Sequence, residues 1–329
     1  MTNTTAIAPI QAFYDRNTLE RAQPMLIHDK FGQKRPIPKG QGLAIKFRRY
    51  EAFTVATTPL TEGTTPAGQD MTKTDVTLTL AQYGDFTKLT DMVIETNLDP
   101  MVTEATDVLG EQMGLTLDTI YRNVLITGTS LRRANAVAAR NLIITKIEEN
   151  DLEAVERALR SNNAKRFTNL IKASTSVGTY GIRPAYWAIV HTDTIKDLEA
   201  LTGYKSVAEY ANQTGVMESE EGSFRGIRFV STTNAKIWAD LGGTAVTNGL
   251  KYTTANTACD VYGTLVFGMD AYGVCPLTSL TSKSIVKAVG SAGADDPLNQ
   301  YGTVGWKATT VCGILNNSFM YRIEHGVTA

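Results

Sequence analysis

Between residues 51 and 71 the chain holds a stretch that an isolated globular domain has little physical reason to keep. Ten of its twenty-one residues are Thr, Gly or Pro. Upstream, Leu43, Ile45 and Phe47 alternate with Ala44, Lys46 and Arg48; downstream, Val76, Leu78 and Leu80 alternate with Thr77 and Thr79. Both flanks carry the period-2 pattern of half-buried strands. Connections without regular structure beyond about 12–15 residues are uncommon inside compact domains, so the sequence predicts a hairpin that projects from the body. A projecting hairpin needs a surface outside itself, and a second copy of the chain is the first candidate.

With 329 residues the chain can bury a sizeable core and divide into two or so domains. It is 43% hydrophobic, and 32 Lys and Arg against 33 Asp and Glu leave a formal charge of -1. That balance gives no global electrostatic reason to bind nucleic acid or a membrane surface. Cys259, Cys275 and Cys312 stand far apart with no CxxC pair, which argues against a disulfide framework or thiolate metal cage and fits a reduced, cytosolic setting. The first residues lack the basic start and apolar run of a signal peptide. No run of about eighteen apolar residues occurs, so a soluble chain outside the usual secretory route is expected.

Pro9, Pro24, Pro36, Pro38, Gly32, Gly40 and Gly42 punctuate the first forty-two residues and leave room for one short helix around 11–23. This segment reads as an extended arm with apolar anchors Phe13, Tyr14, Leu19, Met25, Ile27 and Phe31. Either a neighbouring subunit or its own domain would order it. A long helix is predicted after the hairpin, with Asp99 as N-cap and Pro100 at the first helical position. Met101, Ala105, Val108/Leu109, Met113, Leu117, Ile120 and Val124 recur at helical spacing, and Gly128 offers a left-handed stop. A second helix is expected to run to about residue 162 on the stripe Leu152, Val155 and Leu159, with start signals at Thr145/Glu148 and Asn150/Glu153. Beyond it lie expected strands at 186–190, 227–230 and 261–267, a helix at 192–201, a loop at 241–258 and a closing apolar segment at 306–323. There is no repeat of fixed period. The order predicts two α+β lobes, with the last segment folding back onto the first.

Reactive constellations are sparse. His28, His191 and His325 show no HExxH spacing, and the chain has no GxSxG elbow, GxxxxGK[ST] loop or strand-borne GxGxxG. His191, ahead of Thr-Asp-Thr, reads as a turn residue; the competing reading poses it with Asp193 in a soluble α+β enzyme. Glu148/Glu149, Glu218/Glu220/Glu221 and Asp295/Asp296 lie in polar, turn-like surroundings where solvation accounts for them. Cys275, before Pro276, reads as an inert buried thiol. No catalytic, metal or cofactor-binding residue is assigned, and no cofactor is expected. Lys46 and Arg48 share a strand face, Arg49 lies across from them, and Lys34, Arg35 and Lys39 precede them. This basic group suits phosphates, carboxylates such as Glu62 and Asp70 of a neighbouring hairpin, or plain solvation. Without interleaved aromatic residues it does not suit base stacking. The candidate inter-subunit contacts are Phe13, Tyr14, Phe31, Arg35, Lys46, Arg48, Arg49, Phe53, Leu60, Glu62 and Asp70.

Several strings, taken in order, carry a resemblance: Phe-Gly-Gln-Lys-Arg-Pro-Ile-Pro at 31–38, Ile-Lys-Phe-Arg-Arg-Tyr at 45–50, Thr-Thr-Pro-Leu-Thr-Glu-Gly-Thr-Thr-Pro at 57–66 and Gln-Tyr-Gly-Asp at 82–85. Leu-Asp-Thr-Ile-Tyr-Arg-Asn-Val-Leu at 117–125, Asp-Val-Tyr-Gly-Thr-Leu-Val-Phe-Gly at 260–268 and Gly-Thr-Val-Gly-Trp-Lys at 302–307 complete the set. Over nearly its whole length the chain resembles the major capsid proteins of tailed bacteriophages, specifically the family typified by coliphage N-four, which share the Hong Kong 97-type capsid fold. The resemblance implies an α+β chain with an N-terminal arm at 1–42 and an extended hairpin, the E-loop, at 43–85. A peripheral domain at 86–184 would be built on a spine helix at 99–127, followed by an axial domain at 185–290 and closing peripheral strands at 291–329. It further implies hexamers and pentamers tiling an icosahedral shell around double-stranded DNA, in a virion assembled in the host cytoplasm, without membrane contact. The partners it implies are other copies of the chain, a portal, a separate scaffold and a decoration protein, with non-specific contact to packaged DNA. The alternative within the same class is an encapsulin-like compartment subunit.

Overall fold

A computed structural model describes residues 26–38, 40, 42–51, 53–97, 100–167, 184–210, 216–217, 219–244, 249–253, 258–277, 282–291 and 296–329. Phe13, Tyr14, Lys39, Asp99, Glu218, Asp295 and the helix expected at 11–23 lie outside these residues. The chain begins with β1 (Gln33–Lys34), then the hairpin strands β2 (Ala44–Tyr50) and β3 (Lys73–Thr79), and then β4 (Ala81–Thr90). Two helices follow, α1 (Asp91–Thr96) and α2 (Met101–Leu125), before β5 (Leu131–Arg133) and α3 (Glu149–Ser161). The middle of the chain is β6 (Tyr186–His191), α4 (Ile195–Glu199), β7 (Tyr204–Ser206), β8 (Glu220–Phe224), β9 (Ile227–Thr232), β10 (Ile237–Trp238) and β11 (Val261–Phe267). It closes with β12 (Tyr272–Pro276), β13 (Lys283–Lys287), β14 (Tyr301–Ile314) and β15 (Met320–His325).

At 1.5 Å rise per residue the long helix α2 spans about 37 Å. Its buried positions are Thr106, Leu109, Gly110, Met113, Gly114, Leu117, Asp118, Tyr121 and Leu125. The three- and four-residue spacing is the predicted one, but Val108 faces solvent and Leu109 takes the inward place. Both ends differ from expectation. Pro100 is the N-cap rather than the first helical residue, and it bonds through its carbonyl to Thr103 and Glu104. At the other end Ile126 stays right-handed and the Gly128 N–H reaches the Leu125 carbonyl at 3.2 Å, so Gly128 is not a left-handed stop. Helix α3 buries Leu152, Val155 and Leu159 as predicted; neither expected capping box forms, because Glu148 is the N-cap and makes no side-chain cap bond.

A five-stranded sheet is organised by β14, which carries β4 along one edge and β13 followed by β12 along the other, with β1 parallel to β12. An eight-stranded sheet runs β5-β15-β11-β6-β9-β8-β7, with β10 also on β11. Strands β6 and β11 are buried on both faces, which is why they read as continuous apolar runs. One face, through Trp187, Ile189, Leu265 and Phe267, shares a core with α2 and with Val304, Trp306 and Ala308 of the smaller sheet. The other, through Tyr186, Ala188, Val190 and Val266, packs on α3 and on Leu198 of α4.

Sheet membership cuts across the sequence boundaries. Strands β12 and β13, within 185–290, join the smaller sheet, and β15, within 291–329, pairs with β11 in the larger one. Likewise β4, half of it within 43–85, pairs with β14 from Ala81↔Thr310 to Thr90↔Tyr301, so the hairpin ends at Thr79. Only half of the closing segment folds back on the first lobe. The reason is that a two-sided apolar strand such as β11 demands a partner on each edge, and β15 supplies one.

Candidate assembly surfaces

The root of the hairpin is fixed to its own subunit. Phe47 of β2 is buried against Gly273 of β12, with the Arg35 guanidinium 5.2 Å from its ring centre. Leu78 of β3 occupies the space over Gly313 of β14, where no Cβ could fit without displacing it. Further out, Arg48 and Asp75 face each other in register and form a fork, with Nε to Oδ1 at 2.9 Å and Nη2 to Oδ2 at 3.3 Å. Hydrogen bonding to Arg48 holds the Asp75 carboxyl below the usual carboxylate range. Glu51 accepts from the Thr74 hydroxyl at 2.9 Å and lies 3.8 Å from Arg49.

Sequence reading missed a clamp at the mouth of the loop. The Gln69 side-chain amide accepts from the Thr54 N–H at 2.9 Å and donates to the Thr54 carbonyl at 3.0 Å, closing the loop as a strand pair would. An amide flanked by small turn residues was the only sequence signal for it. At the tip the Thr64 N–H donates to the Thr61 carbonyl at 3.1 Å, and Gly63, at φ +78, supplies the left-handed step. Beside and beyond the clamp the apolar side chains find nothing in the subunit: Phe53, Val55 and Leu60 are 55%, 80% and 78% exposed. Glu62 and Asp70 are exposed on the same loop, and Lys46 and Arg49 on the strand leading to it.

Three candidate contacts are engaged inside the subunit. Phe31, at 5% exposure, stacks on Trp187 at 5.1 Å and belongs to the central core. Arg35 covers Phe47, and Arg48 is paired across the hairpin with Asp75 rather than with Glu62 or Asp70 of a neighbour. Residues 26–38 likewise lie on their own subunit. The buried Asp118 carboxylate of α2 accepts from the N–H groups of Ile27 and His28 at 2.9 and 2.8 Å, and from the His28 ring at 2.9 Å. It also takes the Asn234 side-chain amide at 2.8 Å, and Tyr272 donates to the His28 carbonyl at 2.6 Å. A proline- and glycine-rich segment, unable to form its own ladder, obtains these backbone partners from a buried charge.

The carboxylates and histidines serve structure. Glu220, expected in solvent, is buried in a bidentate pair with Arg228 at 2.6 and 2.7 Å, and Asp296 is buried with the Tyr301 N–H on its carboxylate at 3.1 Å. Glu324 sits at 0% exposure among Arg133, Arg140 and Arg322. His191 caps its turn, its Nδ1 accepting from the Asp193 N–H at 3.1 Å, while the Asp193 carboxylate holds Lys251 and Tyr262. All three thiols are buried, and desolvation raises that of Cys275 to about 11. Among the described residues no group of His, Cys, Asp and Glu is arranged to hold a metal ion, and no helix is long and apolar enough to cross a membrane.

A family of proteins described as phage capsid protein matches residues 73–323. The chain belongs to that family. Its function is therefore that of a major capsid protein, a structural subunit of an icosahedral shell that associates with copies of itself into capsomers of the virion. The capsid protein's likeness to solved structures is one of fold, that of Hong Kong 97-type phage capsids. The chain is similar to the capsid of Ralstonia phage GP4 at 12% identity and TM-score 0.60, covering 92% of this chain and 88% of that one. It is also similar to the head of Helicobacter pylori bacteriophage KHP40, at 12% identity and TM-score 0.60 over 91% of this chain and 88% of the other. Cyanophage Pam1 gives 13% identity and TM-score 0.59 over 88% and 87%. No curated protein sequence matches it.

Proposed function

We propose that this capsid protein forms the hexamers and pentamers of a shell around the double-stranded DNA of a tailed phage, within the coliphage N-four type. In this reading the 51–71 loop is the tip of an E-loop that bridges to an adjacent subunit. Helix α2 is the spine of the peripheral domain, and the eight-stranded sheet is the core of the axial domain. A portal, a separate scaffold and a decoration protein are its partners, and assembly takes place in the host cytoplasm.

The observation that supports this best is the loop itself. Its root is packed and its mouth clamped, yet Phe53, Val55 and Leu60 stay in solvent. Contiguous exposed apolar groups on an ordered support mark an interaction surface. Permanent interfaces commonly bury about 2,000 Å² or more, a reach that a projecting hairpin extends. Phe53, Leu60, Glu62 and Asp70, with Lys46 and Arg49 behind them, remain the proposed inter-subunit contacts. The test is replacement of residues 55–68 by a short Asn-Gly turn, which leaves Thr54 and Gln69 facing each other across the hairpin, followed by electron microscopy of the purified protein. Loss of closed shells is expected; shells at wild-type yield would refute the bridging role.

A further inference from the structure

On the smaller sheet, β13, β14 and β4 lie side by side with Ile285, Gly305 and Phe86 in one row. Trp306 and Val304 point toward α2, so alternation places Lys283, Ile285 and Lys287 on the opposite face with Thr303, Gly305, Lys307, Gly84, Phe86 and Lys88. Gly305 has no side chain between Phe86 and Ile285, and an open groove of about 650 Å³ results. Phe86 is 60% exposed and Ile285 36%. Four lysines, Lys88, Lys283, Lys287 and Lys307, surround this apolar row, and none is paired with a described carboxylate. Lys88 instead lies 4.7 Å over the Tyr301 ring.

The 51–71 loop carries the opposite pattern: Glu51, Glu62 and Asp70 are its only charged residues, and Phe53, Val55, Leu60 and Met71 are its large exposed apolar ones among the described residues. We propose that the lysine-rimmed groove at Phe86, Gly305 and Ile285 receives the acidic loop of a second copy of the chain. The inference rests on the bridging reading of the loop and names its receptor. Complementary charge steers encounter and fixes register, while the apolar row supplies buried contact. A bare polyphosphate would satisfy the lysines but press Phe86 and Ile285 against charge. A segment that carries both apolar and acidic groups satisfies both.

The experiment compares shell yield, by sedimentation and electron microscopy, for a groove variant (Lys283→Glu, Lys287→Glu, Lys307→Glu), a loop variant (Glu62→Lys, Asp70→Lys) and their combination. Each alone is expected to lower yield on the order of tenfold, with substantial recovery in the combination. A groove variant that assembles normally while the loop variant fails overturns the groove and leaves the bridging reading standing. Normal assembly without residues 55–68 overturns the bridging reading itself. Carbodiimide coupling in wild-type shells, mapped by mass spectrometry, gives a readout independent of variant folding. Links from Lys283, Lys287 or Lys307 to Glu62 or Asp70 are expected. Groove lysines coupled only to other carboxylates, or shielded by another protein or by DNA, would overturn the proposal.

Discussion

Replacing Asp118 tests whether the N-terminal segment is held by its own subunit. The carboxylate, at 0% exposure, accepts the Ile27 and His28 N–H groups, the His28 ring and the Asn234 amide. In Asp118→Ala two buried backbone donors lose their partner at about 1–3 kcal/mol each. Loss of the charged contacts brings the total to about 3–5 kcal/mol, as for other broken buried ion pairs. Asp118→Asn should cost less, about 1–3 kcal/mol, because its amide oxygen can keep the two N–H groups while its NH₂ meets the Asn234 donor. Denaturant unfolding gives the magnitude, and amide exchange across residues 26–38 gives the place. Burial would raise the Asp118 pKa, but hydrogen bonding and charge attraction from His28 outweigh it and leave it below the ordinary value. Its contribution is therefore complete above about pH 4, the unfolded aspartate value, and is lost as pH falls through the lower folded value. An Asp118→Ala protein within about 0.5 kcal/mol of wild type, with unchanged exchange at 26–38, would refute the argument.

Glu324→Gln removes the charge that Arg133, Arg140 and Arg322 share, and thermal unfolding should register a loss of about 3–5 kcal/mol. Gly313→Ala forces a Cβ into the Leu78 side chain; a cost of about 1–3 kcal/mol is expected, together with faster proteolysis of the hairpin, since its root must shift. Gln69→Ala removes an exposed clamp, so stability should change by less than about 0.5 kcal/mol while limited proteolysis within 55–68 accelerates. The buried thiols of Cys259, Cys275 and Cys312 should resist a thiol reagent at pH 8 in the native protein and react in denaturant.

Elements whose cause is local were legible in the sequence. The apolar spacing of α2 and α3, the alternation of β2 and β3, and the doubly buried runs of β6 and β11 come from periodicity, and each forms where its pattern lies. Pairings between distant strands were not legible, because nothing in β15 itself says that it will lie on β11 rather than follow β14. The candidate contacts divided the same way. Phe53 and Leu60 stand exposed in a loop whose composition announced it, whereas Phe31 looked like one more apolar anchor of an arm. Only the stacking of Phe31 on Trp187, far along the chain, reveals that it is core. Lys283, Ile285 and Lys287 alternate plainly enough to mark a strand with a basic outer face, but the meaning of that face depends on Gly305 and Phe86 arriving beside it.

Reconstruction of the assembled shell by electron microscopy, at a resolution that traces side chains, tests the account most directly. Phe53, Val55 and Leu60 of every subunit are expected to be buried against a neighbouring copy. Loops left in solvent at each position of a complete shell would contradict it.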